Sequence, residues 1–170
     1  AIKRWFPERF AQAADRMVVE LGWPIVLVGS TNEIKLLEQV RSRMDQPASN
    51  FGGRTSLLGL AAVLRSARLV LCNNSGVMHI AAAVGTPTVA VFSARDFEGT
   101  WEPAGQHHRV LRNDVPCSPC YLDDCPVGLI CLQPISVDSV VDAVKSALDS
   151  GQKAPVESNL RVSATAGRGT

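Results

Sequence analysis

The sequence predicts an α/β fold in which helices cover a parallel sheet. Short apolar, β-branched segments alternate along the chain with segments whose apolar residues recur every three or four positions. The apolar segments show no alternation with polar residues, which is typical of strands that are buried on both faces. Because such sheets bind ligands at the carboxyl ends of their strands, we expect the functional residues at that edge.

Composition and charge are those of a single globular domain. The chain has 170 residues, of which 46% are hydrophobic and 19% are charged, and this excludes a protein that is disordered throughout. Lys and Arg number 17 against 16 Asp and Glu, too small an excess to predict a nucleic-acid partner. No apolar run reaches the ~18 residues of a membrane span, and residues 1–10 contain no apolar core of a signal peptide, so we expect a cytoplasmic location.

The first half of the chain is predicted to contain three helices and one strand. Pro7 suits a first helical turn and Gly22 suits a helix end, while Ser30 and Glu33 have the spacing of a capping box. Residues 45–53 are polar and are predicted to form a loop. The elements are a helix over 6–21, a strand over 24–29, a helix over 30–44, and a helix that Thr55 or Ser56 caps and that ends near Ser66.

The second half is predicted to contain three strands and two helices. A long polar loop is expected over 93–108, and the small, polar residues 151–170 predict a disordered or extended tail. The domain therefore extends over residues 1–150. Its remaining elements are a strand over 68–73, a helix over 76–84, a strand over 86–92, a short strand over 109–112, and a last helix that Ser136 caps.

The segment from Leu69 to Phe92 carries the clearest functional signal. A strand runs through the turn Asn73-Asn74-Ser75-Gly76 directly into a short helix. Asn and Gly tolerate positive φ, and a glycine lets a ligand approach the backbone closely. The first amides of a helix have no partner within the helix and, together with the helix dipole, favour an anion such as a phosphate. The pattern also fits a sharp turn with no ligand.

Each remaining polar candidate has two interpretations. His79 either donates a hydrogen bond to a ligand or bonds a neighbouring strand. Thr55 and Ser56 either contact a ligand or cap their helix, and Glu33 either holds ribose hydroxyls or closes its capping box. Lys3 is either a point charge for a phosphate or a solvated lysine.

The cysteines form one tight cluster. Cys117, Cys120, Cys125 and Cys131 have the spacing C-x2-C-x4-C-x5-C, and only Cys72 lies elsewhere. Four thiolates could hold zinc, although the middle spacing is shorter than in usual zinc ribbons. A redox pair at the first two cysteines and a cysteine-rich loop without metal are the other interpretations.

The motif LVLCNNSGVMHIAAAVGTPTVAVF resembles the signature of the family 9 glycosyltransferases, the ADP-heptose:lipopolysaccharide heptosyltransferases. The resemblance continues on both sides of the motif and covers residues 3 to about 148 in the same order. It includes the segments KRWFP at Lys3, VLVGSTNE at Val26, GRTSL at Gly53, and the cysteine-rich segment from Pro116 to Leu132.

The resemblance implies the carboxyl-terminal, donor-binding half of a GT-B fold, a Rossmann-like parallel sheet with flanking helices. It implies inverting transfer of heptose from ADP-heptose to the lipid-linked lipopolysaccharide core at the inner face of the cytoplasmic membrane, without metal or other cofactor. The donor-binding residues would be Lys3 for the diphosphate, Glu33 for the ribose, Thr55 and Ser56 in the nucleotide crevice, and Asn74, Ser75, Gly76, Met78 and His79 at the helix start.

The sequence departs from the family pattern in three ways. Asn74 occupies the position of the family's Asp, which would accept hydrogen bonds from sugar hydroxyls. The domain's first strand would precede Lys3, and the acceptor domain with its catalytic base would lie further upstream, so no catalytic residue is assigned here. A non-catalytic nucleotide-binding or partner module, and a zinc-stabilised interaction module built on the cysteines, are the alternative functions.

Overall fold

A computed structural model describes residues 2–105 and 107–149, in which strands and helices alternate. A 3-10 turn, Thr31–Glu33, precedes the second helix. The predicted tail lies outside the described residues. In chain order the elements are α1 (Pro7–Leu21), β1 (Ile25–Leu27), α2 (Ile34–Arg41), β2 (Ala48–Asn50), α3 (Leu57–Ser66), β3 (Val70–Asn73), α4 (Gly76–Ala83), β4 (Thr88–Val91), β5 (His108–Leu111) and α5 (Val137–Asp149).

All strand pairs in the described residues are parallel, as predicted. β1 pairs with β2, and β3, β4 and β5 form a second sheet with β4 at its centre. Residues 70–73 of β3 lie opposite residues 88–91 of β4, so both strands end at the same edge. This edge is where the candidate site forms.

Two predicted boundaries are wrong. β2 lies in the segment predicted to be a loop, because Ala-Ser-Asn has no apolar pattern and only pairing with β1 defines the strand. The helix predicted over 30–44 begins as the 3-10 turn and ends at Arg41. The backbone amides of Asp45 and Gln46 donate to the Asp15 carboxylate of α1 at 2.9 and 2.8 Å, so the chain has left α2 by that point.

The buried strand β4 divides the core into two layers. Its side chains alternate, so that Val89 and Val91 pack with α1 and α5 while Ala90 and Phe92 pack with α3 and α4. This alternation is the geometry of a sheet covered on both faces. The four residues of β4 are all buried, and the strand lies at the centre of its sheet.

The predicted helix ends are largely confirmed. α1 begins at Pro7 and ends at Leu21, and the following Gly22 has a φ of 67°, the left-handed conformation that glycine adopts readily. The Ser136 hydroxyl accepts a hydrogen bond from the Ser139 amide at 3.0 Å and so caps α5. Within residues 2–105 and 107–149, no helix is long and apolar enough to cross a membrane.

Candidate functional site

The turn between β3 and α4 lies at the carboxyl edge of the three-stranded sheet. The Asn74 amide donates to the carbonyl of Val91, the last residue of β4, at 3.3 Å. The turn reaches the helix through extended backbone at Ser75, with φ −154° and ψ 168°. None of its residues has a positive φ, so the turn does not use the left-handed conformation that Asn and Gly tolerate. The backbone pairing with β4 shapes this turn instead.

The first backbone amides of α4 have no hydrogen-bond acceptor among the described residues. Ser75 occupies the N-cap position, but its hydroxyl makes no capping hydrogen bond. Among the described residues, nothing accepts a hydrogen bond from the amides of Gly76 and Val77. A Cβ added to Gly76 would meet nothing within 4 Å. The exposed helix start therefore has free donors and free space, as an anion site requires.

Lys3 forms an ion pair with Asp96 at this edge. Its Nζ lies 2.6 Å from Oδ2 of Asp96, which is 8% exposed. The Asn74 carboxamide also donates to Oδ2 of Asp96, at 3.4 Å. Asp96 therefore connects two residues that the sequence predicts for the donor site.

Trp5 fixes the segment that carries Lys3. Its backbone amide donates to Oδ1 of Asn73 at 2.8 Å, and its indole Nε1 donates to the Ile135 carbonyl at 3.1 Å. The ring is 1% exposed and packs edge-on against Phe10. Because both ends of Trp5 are bonded, Lys3 is held beside the end of β3.

Glu33 forms the predicted capping box. Its Oε2 accepts hydrogen bonds from the backbone amide of Ser30 at 2.9 Å and from the Ser30 hydroxyl at 2.8 Å. The Ser30 amide is the main cause that lowers the pKa of the Glu33 carboxyl below its ordinary value. The capping interpretation is thus confirmed, while the ribose contact stays a prediction.

Ser56 also has a local structural role. Its Oγ accepts a hydrogen bond from the Gly59 amide at 3.1 Å, which confirms that it caps α3. Thr55 is half-buried beside it. Neither residue lines the large cavity that Lys3, Glu33, Asn74 and Ser75 share.

The two helical candidates of α4 have different environments. Met78 is completely buried, packs in the core with Phe92, and donates its amide to the Ser75 carbonyl at 3.1 Å. We therefore correct the prediction that Met78 holds the phosphates, because its side chain points into the core. His79 is exposed, with its ring 6.4 Å from that of Trp101, so it remains accessible to a ligand.

A cavity of about 630 Å³ extends from this edge between β1 and β3. Helices α1 and α2 contribute apolar side chains to it, including Phe10, Met17 and Leu37. In the described residues, β1 pairs only with β2, and β3 pairs only with β4. Each strand therefore has one edge without a neighbouring strand, and both strands line the cavity.

The four clustered cysteines do not form a metal site in the described part of the chain. Cys117, Cys120, Cys125 and Cys131 are all free and range from exposed to buried. No group of three or more His, Cys, Asp or Glu side chains in the described part of the chain is placed to hold a metal ion. Burial raises the pKa of the separate Cys72 thiol to about 12, so this thiol is an unreactive core group.

Asp96 and Asn73 are the residues of this edge that the sequence reasoning missed. Asp96 lies in the segment predicted to be a polar loop, and Asn73 was predicted only as part of the turn. The rule that ligands bind at the carboxyl ends of strands could have identified Asp96, since it follows β4 closely.

Comparison with known proteins gives a consistent result. A family model described as "Glycosyltransferase family 9 (heptosyltransferase)" matches residues 1–130. Lipopolysaccharide heptosyltransferase 1 of Pseudomonas aeruginosa is 32% identical over 126 residues, which is 72% of this chain and 34% of that protein. Lipopolysaccharide heptosyltransferase 2 of Salmonella typhimurium is 30% identical over 116 residues, 65% of this chain and 32% of that protein. The chain thus spans about a third of the length of these relatives.

Solved structures share the fold. A family 9 glycosyl transferase from Veillonella parvula superposes with a TM-score of 0.76 at 25% identity, covering 88% of this chain and 43% of that one. The ADP-heptose lps heptosyltransferase II of E. coli gives a TM-score of 0.72 at 22% identity, covering 87% of this chain and 43% of that one.

Proposed function

The chain belongs to glycosyltransferase family 9, and from this premise we propose that it is the donor-binding part of a heptosyltransferase, with residues 1–150 as the donor domain. The donor would be ADP-heptose and the acceptor the lipid-linked lipopolysaccharide core. The observation that carries the proposal is the open start of α4, with Lys3 and Asn74 beside the same strand end.

The proposed chemistry is inverting transfer without a metal or other cofactor. An acceptor hydroxyl attacks the anomeric carbon of heptose, the bond from that carbon to the β-phosphate oxygen breaks, and ADP leaves with added negative charge. In this proposal the free amides of Gly76 and Val77 and the ammonium of Lys3 would stabilise this charge. The base that accepts the hydroxyl proton would come from an N-terminal acceptor domain.

The cavity between β1 and β3 supports the proposal that the complete domain contains one more strand. Both strands present an unpaired edge there. Trp5 holds the start of α1 at the carboxyl end of β3. A strand parallel to β3 would end at this edge and pass directly into α1, which is the order of a β-α-β unit.

The proposed acceptor places the complete enzyme at the inner face of the cytoplasmic membrane as a peripheral protein. The relatives named above are lipopolysaccharide heptosyltransferases, and the acceptor of such a reaction is anchored in lipid. Association would then come through the acceptor and the acceptor domain. Sedimentation of the full-length protein with lipopolysaccharide-containing vesicles would measure it.

Calorimetric titration with ADP and with UDP tests the donor-binding proposal. We expect ADP to bind more tightly than UDP. Lys3→Ala should weaken ADP binding by about three- to tenfold, the value of one ordinary hydrogen bond, because Lys3 is partly exposed and is shared with Asp96. Lys35→Ala is the matched control, because Lys35 lies on α2 and does not line the cavity. Absence of ADP binding to a protein extended by the upstream strand and acceptor domain would contradict the proposal.

Asn74 favours a second candidate, a nucleotide-binding module without transferase activity. The family pattern has Asp at this position, and an uncharged amide holds a sugar hydroxyl less strongly than a carboxylate. A full-length protein that binds ADP normally but transfers no heptose would favour this candidate. Transfer activity would exclude it.

A further inference from the structure

We propose that Asp96 is a positioning residue that determines recognition of the donor sugar, because it fixes the orientation of the Asn74 carboxamide. Asn74 would then present its Oδ1 as an acceptor for a sugar hydroxyl. This inference rests on the proposed function, and it assigns the negative charge of this part of the site to Asp96 and not to residue 74.

The position of Asp96 brings it between the predicted donor-binding groups. Its Oδ2 accepts from the Lys3 ammonium at 2.6 Å and from Nδ2 of Asn74 at 3.4 Å. Its Oδ1 lies 3.4 Å from the Arg95 guanidinium. Asp96 therefore lies between two cationic side chains and the Asn74 carboxamide.

The contact with Asp96 sets the orientation of the Asn74 carboxamide. An ionised Asp accepts hydrogen bonds but has none to donate, whereas the Asn carboxamide has a donating NH₂ group and an accepting oxygen. The NH₂ group of Asn74 must therefore face Asp96, and Oδ1 must face away from it. The backbone amide of Asn74 donates a hydrogen bond to the Val91 carbonyl, which holds the turn beside β4 and keeps the Asn74 side chain next to Asp96.

The same geometry disfavours a second carboxylate at residue 74. An Asp at 74 would place a second carboxylate at the 3.4 Å separation now spanned by the amide. Two like charges at that distance disfavour each other unless one carboxylate binds a proton. The pair Asn74 and Asp96 supplies one charge and one oriented acceptor without that repulsion.

The cysteine segment holds Asp96 in place. Nη2 of Arg112 donates to the Asp96 carbonyl at 2.5 Å and to the Ser118 hydroxyl at 3.1 Å. The amides of Cys120 and Tyr121 donate to the carbonyls of Ala94 and Arg95 at 3.3 and 3.1 Å. Because three successive carbonyls ending at Asp96 accept hydrogen bonds, the backbone that carries the carboxylate is held in place.

A charge exchange between the two positions tests the proposal. Dissociation constants for ADP and for ADP-heptose are measured by calorimetry for the wild type, Asp96→Asn, Asn74→Asp, and the double variant Asn74→Asp/Asp96→Asn. In each single variant we expect the preference for ADP-heptose over ADP to fall by about three- to tenfold, the value of one oriented hydrogen bond. In the double variant the preference should return to within about twofold of the wild type.

Asp123→Asn is the matched control. It removes a carboxylate that also binds Arg95, at 3.2 Å, but that is exposed and does not contact Asn74, so the sugar preference should not change. If the losses of the two single variants multiply in the double variant, Asp96 is only structural and the inference is overturned. If the wild type binds ADP but prefers ADP-heptose no more than ADP, the inference fails and nucleotide binding stands. If neither ligand binds, the proposed function and the inference fail together.

Discussion

The starts of α3 and α4 have similar sequences, but only the start of α3 is capped by its serine side chain. Each helix follows a serine, in Thr55-Ser56-Leu57 and in Asn74-Ser75-Gly76. Ser56 bonds the Gly59 amide, whereas the Ser75 hydroxyl makes no capping bond and the next two amides have no acceptor among the described residues. A free helix start costs stability, since capping serines usually stabilise a helix. The difference shows that α3 is capped by its own serine and that α4 is not, which is what the proposed phosphate site requires.

Blocking the start of α4 should have the largest effect. In Gly76→Val the new side chain meets nothing within 4 Å and no positive φ is involved, so the fold should be retained. We expect ADP affinity to fall at least about tenfold, or ~1.4 kcal/mol, because the side chain covers the free amides. Calorimetry gives the affinity. Ala62→Val, at an exposed position of α3, controls for the cost of a branched residue in a helix.

Exchange of the two serines for alanine should produce opposite results. Ser56→Ala removes a cap and should lower the free energy of unfolding by ~1 kcal/mol without changing ADP binding. Ser75→Ala removes a hydroxyl with no capping bond, so it should leave stability nearly unchanged and weaken ADP binding. Urea unfolding and ADP titration of both variants check this. Equal loss of stability in the two would mean that Ser75 is an ordinary cap.

Glu33 gives a smaller, pH-dependent effect at a third helix start. The Ser30 hydrogen bond lowers the pKa of Glu33 in the folded state, so its stabilisation is present above the unfolded pKa of ~4.3 and is lost as pH falls through the lower folded value. Glu33→Gln should therefore cost about 0.3–1 kcal/mol at neutral pH, as a charge at a helix start does. The difference should shrink as pH falls below the unfolded pKa and vanish below the lowered pKa of Glu33 in the folded state. Thermal unfolding between pH 3 and 7 measures it, and a difference independent of pH would contradict the assignment.

The sequence predicts the helices and strands well where apolar residues recur with a regular period or form an unbroken run. Periodic apolar residues predict α1 and α5, and the unbroken apolar run predicts β4, since burial on both faces requires it. The strand β2 is missed because Ala48–Asn50 has no such run, and its pairing with β1 is a tertiary effect.

Only part of the candidate site is predicted from the sequence, because some of its features are local in the chain and others depend on tertiary contacts. The open start of α4 follows from a strand, a short turn and a glycine, all visible in sequence. Met78 was assigned from a matching motif position, but a motif does not give the direction of a side chain. Asp96 was missed because its contact with Lys3 joins residues more than ninety positions apart in the chain.

A titration of ¹⁵N-labelled protein with ADP, followed by NMR, tests the open helix start most directly. The amide signals of Gly76 and Val77 should shift far more than those of Leu57 and Leu58, which begin the capped helix α3. Half of the shift should be reached at a free ADP concentration equal to the dissociation constant found by calorimetry. Bound ADP that leaves the Gly76 and Val77 signals no more changed than those of Leu57 and Leu58 would contradict the assignment of the phosphate site to α4.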